Sequence, residues 1–334
     1  MSHLFYGVAY YDEYMPEDRL AKDIALMRET GINVVRIAES TWSTLEPEEG
    51  QYNFYHIDRV LEAMHEAGIA VIVGTPTYAV PAWLAAKHPD ILVTTVARQQ
   101  KYGPRQIMDI VNPTFRRYAE KIIRTLMAHV QHHPAIIGWQ LDNETKHYDN
   151  IGRYMQEGFV RSLQEKYPDL RQLNRDFGLD YWSNRIDRWQ DFPPVENTIN
   201  ASLACAFSRY QRQQVTEYLA WQAAIVREYA QPHQFVTHNF DFEWRGYSYG
   251  VQPRVDHFAA AQALDVAGVD IYHPSQAHLT GREIAFGGAI TRSLKPGQNY
   301  FVLETQAQGF AQWTPYPGQL RLQAFSHVAS GAAM

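Results

Sequence analysis

Two stretches of the sequence run apolar residues into a carboxylate: IIGWQLDNE, which ends in Asn143 and Glu144, and FVLETQ, which carries Glu304. If both are strands of one parallel sheet whose C-terminal ends share a mouth, the two glutamates face each other across it. One could then protonate a leaving oxygen while the other attacks an anomeric carbon or activates water, the division of labour of glycoside hydrolysis. Singly, Glu144 also suits a helix start, where the dipole favours an acid, and Glu304 a strand end facing solvent. The pairing, after a fourth and a seventh strand, points to chemistry.

The elements that must position this pair are legible as alternation. Strand-like runs LFYGVAYY, NVVRIAE, IAVIVGT, IIGWQL, QFVTHNF, VAGVDIY and YFVLE are each followed by helical patterns, the signature of βα units with a parallel sheet. Helices are expected from Glu17 to Thr30, near His56 to Ala67, near Pro81 to Lys87 and near Pro113 to Gln131. A long helical insertion covers about 151–230, broken at YWSNRIDRWQDFPP. No Gly-rich phosphate loop opens the first helix, so the α/β class resolves to a (β/α)8 TIM barrel rather than a doubly wound sheet. The insertion follows strand 4, and SHVASGAAM stands where an eighth strand should begin, so that strand is absent from this chain. Residues 1–334 read as one C-terminally incomplete barrel domain. Its first and seventh strands would expose unpaired edges unless something covers them.

Composition bounds the partners. Of 334 residues, 46% are hydrophobic and 20% charged, and the net charge of −6 is spread along the chain. There is no basic stripe for nucleic acid and no polybasic membrane patch. The uncharged run from Ala67 to Ala86 holds Gly68, Gly74, Pro76 and Pro81, and reads as strand, loop and helix start rather than a membrane span. The opening MSHLFYGVAYYDEY lacks the charged-then-apolar pattern of a secretory signal, so a cytoplasmic location is the expectation. Cys205 is the sole cysteine, which excludes an internal disulfide and a thiolate metal cluster, and it is expected to be a small buried residue. Trp42, Trp83 and Trp244 could line the mouth but read more simply as core, and His147, His238 and His273 as scaffold residues.

The combination of WQLDNE with FVLETQAQGFAQWTP, together with FYGVAYYDEY, VVRIAESTWSTLEPEEGQYNF and YWSNRIDRWQDFPPV, resembles glycoside hydrolase family 42, the β-galactosidases of clan A, from residue 4 to the end. The resemblance implies a retaining double displacement on terminal β-D-galactosyl residues of small oligosaccharides, with Glu144 as acid/base and Glu304 as nucleophile. It implies sugar contacts from Arg105, Asn143, Tyr272 and Trp313, although the spacing from Glu304 to Trp313 is one residue longer than in some members. Arg36, at the end of strand two, is placed to keep Glu304 anionic. No cofactor and no metal are implied, since the cysteine cluster that binds zinc in some members is missing. The family's usual homotrimer is implied as the assembly. Relatives continue past this point into an eighth strand, further galactose contacts and additional domains. Two other readings stay open: an α-L-arabinopyranosidase or other clan A glycosidase with the same glutamate pair, and a truncated barrel that only binds sugar.

Overall fold

The computed structural model describes residues 4–242, 251–272, 281–305 and 316–334. Strands β1 (Gly7–Ala9), β2 (Val34–Ile37), β3 (Ala70–Gly74), β4 (Ile136–Gln140) and β5 (Phe235–Thr237) pair in that order, and β6 (Asn239–Asp241), β7 (Gly268–Asp270) and β8 (Phe301–Glu304) continue the run. Every pairing is parallel. β5 and β6 flank His238 and together are the barrel's fifth strand, so the eight segments make seven barrel strands, as the alternation of the sequence predicts.

Helices fill the crossovers. α1 (Leu20–Thr30) follows β1, α2 (Trp42–Leu45) and α3 (Tyr55–Glu66) follow β2, and α4 (Ala82–Lys87) and α5 (Pro113–Val130) follow β3. After β4 come α6 (Arg153–Lys166), α7 (Leu170–Phe177) and α8 (Ala201–Arg227); α9 (His257–Ala260) precedes β7, α10 (Arg282–Leu294) precedes β8, and α11 (Gln319–Ala329) follows it. On α5, Phe115, Tyr118, Ala119, Ile122, Ile123, Leu126, Met127 and Val130 are buried, a three-and-four spacing that turns one stripe to the sheet. Asn112 starts this helix by accepting from the backbone N–H of Thr114 and Phe115, with Pro113 supplying a preset φ in the first turn.

The barrel interior is apolar below and polar above. Val34, Ile72, Val266, Phe301, Leu303 and Ala333 form a plug with Phe5 and Phe235 packed on it. The Phe235 and Phe301 rings meet edge to face at 5.1 Å. Gly138 makes this possible: a Cβ there would stand 2.4 Å from the Phe235 ring. With the floor filled, polar side chains that turn inward collect at the C-terminal ends of the strands.

Two register slips aim those ends. Val71 lies opposite Ile136 but Ile72 opposite Gly138, and Val269 lies opposite Val302 but Asp270 opposite Glu304. Each slip inserts one residue and reverses the facing of the residues beyond it. On β8, Leu303 stays in the apolar plug while Glu304, which strict alternation would turn to the helices, is brought to the mouth.

The seam between the first and last strands is closed at its base by the final residues. Ala332 bridges Tyr300 in parallel, Ala333 N–H donates to the Tyr300 carbonyl at 2.8 Å, Val302 N–H to that of Met334 at 3.0 Å, and Phe5 N–H to that of Ala333 at 3.0 Å. These residues take the position where an eighth strand starts, and no further strand follows among the described residues. The edges expected to be open are therefore covered below, while Gly7 and Val8 higher up stay exposed. The insertion carries its own apolar cluster around Met155, Phe159, Leu163, Leu173 and Phe207. Cys205 departs from expectation: it is exposed, on the face of α8 turned away from that cluster. No helix among the described residues is long and apolar enough to cross a membrane.

Candidate active site

The polar groups that turn inward come from five of these strands and the turns after them. Arg36 comes from β2, Gln140 and the following Asp142–Glu144 turn from β4, Asn239 from β6, Asp270 and Tyr272 from β7, and Glu304 from β8. Carboxylate oxygens of Glu144, Asp270 and Glu304 lie within 4.8 Å of one another. The two glutamates singled out by sequence thus meet across one mouth, with a third acid beneath them.

Glu304 is surrounded by donors. Arg36 donates to its Oε1 at 2.5 Å and the Tyr272 hydroxyl to its Oε2 at 2.7 Å. Arg36 is itself buried and held by several partners: it donates also to Glu39 at 2.9 Å, Gln140 at 2.9 Å and the Tyr11 hydroxyl at 2.7 Å. Burial works to raise the Glu304 pKa, but the Arg36 charge and the Tyr272 and Arg36 hydrogen bonds outweigh it and hold the carboxyl below its usual range. Glu304 is built to be an anion.

Glu144 is built to keep its proton. Burial, then the charges of Asp241 and Glu304, push its pKa up to about 7 against the opposing pull of Lys146 and Arg105. Lys146 is paired to Asp241, and Arg105 reaches Glu144 only at 3.5 Å from a side chain 65% exposed. Asp270, wholly buried, is likewise raised, by burial and then by the Glu304 and Glu144 charges. Among the described residues Arg36 is the buried cation hydrogen-bonded to this cluster, and it pairs with Glu304, so burial favours the neutral forms of Glu144 and Asp270.

The turn that presents Glu144 is strained. Asp142 and Glu144 have φ of 43° and 44°, left-handed values that cost on the order of 1–3 kcal/mol each in a residue other than glycine. Buried polar contacts impose them. Asp142 accepts from the Thr77 and Thr145 hydroxyls, its N–H donates to Thr75 Oγ1 at 2.6 Å, and Gln106 donates to the Asn143 carbonyl at 3.2 Å. His238, in the break between β5 and β6, donates from Nδ1 to the Leu141 carbonyl at 2.7 Å and accepts the Thr145 N–H at 3.4 Å. Burial drives its pKa down to about 4, so it is a neutral scaffold group.

Of the residues expected to bind sugar, Arg36, Asn143 and Tyr272 converge on the glutamates, and Arg105 stands at the rim over the Tyr78 ring, 5.9 Å from its centroid. Trp313, Trp244 and His273 lie outside the described residues. Trp42 is fully buried and donates to Glu46, and Trp83 donates to the Glu46 carbonyl, so both belong to the scaffold. Asn239, Asp270, Gln106 and Gln140 were not anticipated. Asp270 ends β7 as Glu304 ends β8, and Asn239 opens β6, positions that mark candidates without telling whether they face the site or solvent.

Comparison with known proteins gives the family. The model of glycoside hydrolase family 42, described as beta-galactosidase, matches residues 9–334. A beta-galactosidase of Thermus thermophilus is 32% identical over 98% of this chain and 53% of its own length; YesZ, a beta-galactosidase of Bacillus subtilis, is 31% identical over 99% of this chain and 50% of its own. The solved beta-galactosidase of Rahnella sp. R3 superposes with a TM-score of 0.89 at 27% identity, covering 100% of this chain and 50% of that one. The chain spans about half the length of the curated relatives it matches. By its sequence and by its barrel, this chain belongs to glycoside hydrolase family 42.

Proposed function

We propose that this barrel carries the catalytic site of a retaining β-galactosidase. Glu304 attacks the anomeric carbon as Glu144 protonates the departing oxygen, forming a galactosyl ester on Glu304. Glu144, now ionised, then takes a proton from the water that hydrolyses the ester. The observation that carries this reading is geometric: two glutamates have oxygens within 4.8 Å of each other, with Arg36 and Tyr272 donating to Glu304 and favouring its anion, while burial and neighbouring acids raise the Glu144 pKa to about 7. Oxygens this close favour direct attack, for which carboxyls stand about 5–5.5 Å apart, over insertion of a water.

In this reading Asn143 meets the sugar 2-hydroxyl, Arg105 and Trp313 grip the galactose, and Tyr272 and Arg36 hold the nucleophile. The two glutamates and the sugar supply all the chemistry, so no metal or cofactor is needed. The substrates are terminal β-galactosides of small oligosaccharides. Residues 1–334 act as one barrel unit, with the insertion an elaboration of the loop after β4, and the assembly is a homotrimer, which light scattering would test.

The experiment is hydrolysis of 4-nitrophenyl β-D-galactopyranoside by the chain, beside Glu144→Ala and Glu304→Ala, with the α-L-arabinopyranoside in parallel. Turnover lost in both variants, and azide rescue of Glu304→Ala to an α-galactosyl azide, would establish the reading and rank the sugars. A folded chain that turns over neither sugar would defeat it for this length of chain.

A further inference from the structure

Asn239 has no solvent exposure, yet it touches every part of the pair. Its Oδ1 accepts the Glu144 N–H at 3.2 Å. Its Nδ2 donates to Asn143 Oδ1 at 2.8 Å and Asp270 Oδ2 at 2.6 Å, with Glu304 Oε1 a looser third acceptor at 3.3 Å. The Glu144 N–H fixes which end of the Asn239 amide faces it, because the flipped amide would set donor against donor. That orientation passes on. With Asn143 Oδ1 turned to Asn239, the Nδ2 hydrogens of Asn143 are the ones left to meet a sugar hydroxyl.

Asp270 stands behind Asn239. It is 1% exposed, and among the described residues its Oδ1 has no hydrogen-bond partner and its Oδ2 is gripped by Asn239. A carboxyl always offers an acceptor oxygen at this position, whether or not it carries a proton. Burying an acid beside two others is costly, and a contact that pins a buried amide is a reason to keep it.

We propose that Asn239, pinned by Asp270, is the positioning residue of the acid/base turn: it holds the Glu144 backbone in its left-handed conformation and sets which end of the Asn143 amide faces the sugar. This rests on the reading of Glu144 as acid/base and of Asn143 as the partner of the 2-hydroxyl. Neither Asn239 nor Asp270 touches substrate; both act through Asn143 and Glu144.

The test has two arms. Backbone hydrogen exchange, read by mass spectrometry on a peptide spanning residues 141–147, should quicken at least about tenfold in Asn239→Ala and in Asp270→Ala, stay near the parent in Asp270→Asn, and leave α5 peptides unchanged in all three. The α5 peptides separate a local release from a failing fold. In the second arm, the ratio of kcat/KM for a galactoside to that for its 2-deoxy analogue should fall about tenfold in Asn239→Ala, as in Asn143→Ala. The double variant should fall no further than Asn143→Ala alone. Unchanged exchange in Asn239→Ala, or additive losses in the double variant, would overturn the proposal. A parent chain that turns over neither galactoside would count against the functional reading alone, and the exchange arm would still decide this one.

Discussion

Replacing Glu144 by glutamine should make the protein more stable, and more so at alkaline pH. Glutamine keeps the shape and removes the charge. In the folded chain the Glu144 pKa stands at about 7 against an ordinary 4.5, chiefly because the group is buried and because Asp241 and Glu304 repel its anion. An acid whose folded value is raised weakens the fold as pH climbs above the unfolded value, and the loss is complete above the folded one. At about 1.36 kcal/mol per unit, ionised Glu144 costs roughly 3 kcal/mol at pH 8 and only about 1 kcal/mol at pH 5. With an unfolding entropy near 2.1 cal/mol/K per residue, about 0.7 kcal/mol/K for this length, that is a gain in Tm of about 4 °C at pH 8 and about 1 °C at pH 5. Thermal melts of the parent and Glu144→Gln at the two pH values check this. Equal melting temperatures at pH 8, or a gain that grows toward pH 5, would refute the assignment of a buried, proton-holding Glu144.

Glu304→Gln should do the opposite and destabilise by on the order of 2 kcal/mol, because among the described residues buried Arg36 pairs with the carboxylates of Glu304 and Glu39 and loses the first; since the Glu304 pKa is held low, that difference should be present at neutral pH and shrink on acidification, as chemical denaturation at two pH values would read. Tyr272→Phe removes the O–H that favours the Glu304 anion, so the acidic limb of kcat/KM against pH should move upward and kcat/KM should fall about 10- to 100-fold. In the parent chain the alkaline limb of kcat/KM should lie near pH 7, set by loss of the Glu144 proton, and a limb well above pH 8 would contradict this. Asn112→Ala strips the α5 cap and should cost about 1 kcal/mol in denaturant melts without altering the pH profile.

Much of this was legible in the sequence because a barrel converts strand ends into a site. WQLDNE and FVLE each place a carboxylate where an apolar run stops, and NVVRIAE places Arg36 by the same rule. The extent of α5 matches its three-and-four apolar spacing to within a residue. What could not be read depends on partners that only the folded sheet supplies. The slip that turns Glu304 inward is invisible in FVLE, whose alternation puts Leu303 and Glu304 on opposite faces until β7 is laid beside it. Asp270 ends β7 and Asn239 opens β6, but a polar residue at either position reads equally as solvent-facing, and their burial comes with contacts to groups from neighbouring strands. Cys205 misled because cysteine usually packs as a small apolar group, whereas on α8 it falls outside the stripe of Leu203 and Phe207.

The most direct test of the central claim is to trap the reaction on the protein. Incubation with a 2-deoxy-2-fluoro-β-galactosyl fluoride, followed by digestion and mass spectrometry, asks which carboxylate forms the glycosyl ester. The geometry predicts a single 2-deoxy-2-fluorogalactosyl ester on Glu304, formed with loss of the anomeric fluoride and faster in the parent than in Tyr272→Phe. An adduct on Asp270 or Glu144, or an active chain that is never labelled, would contradict the account.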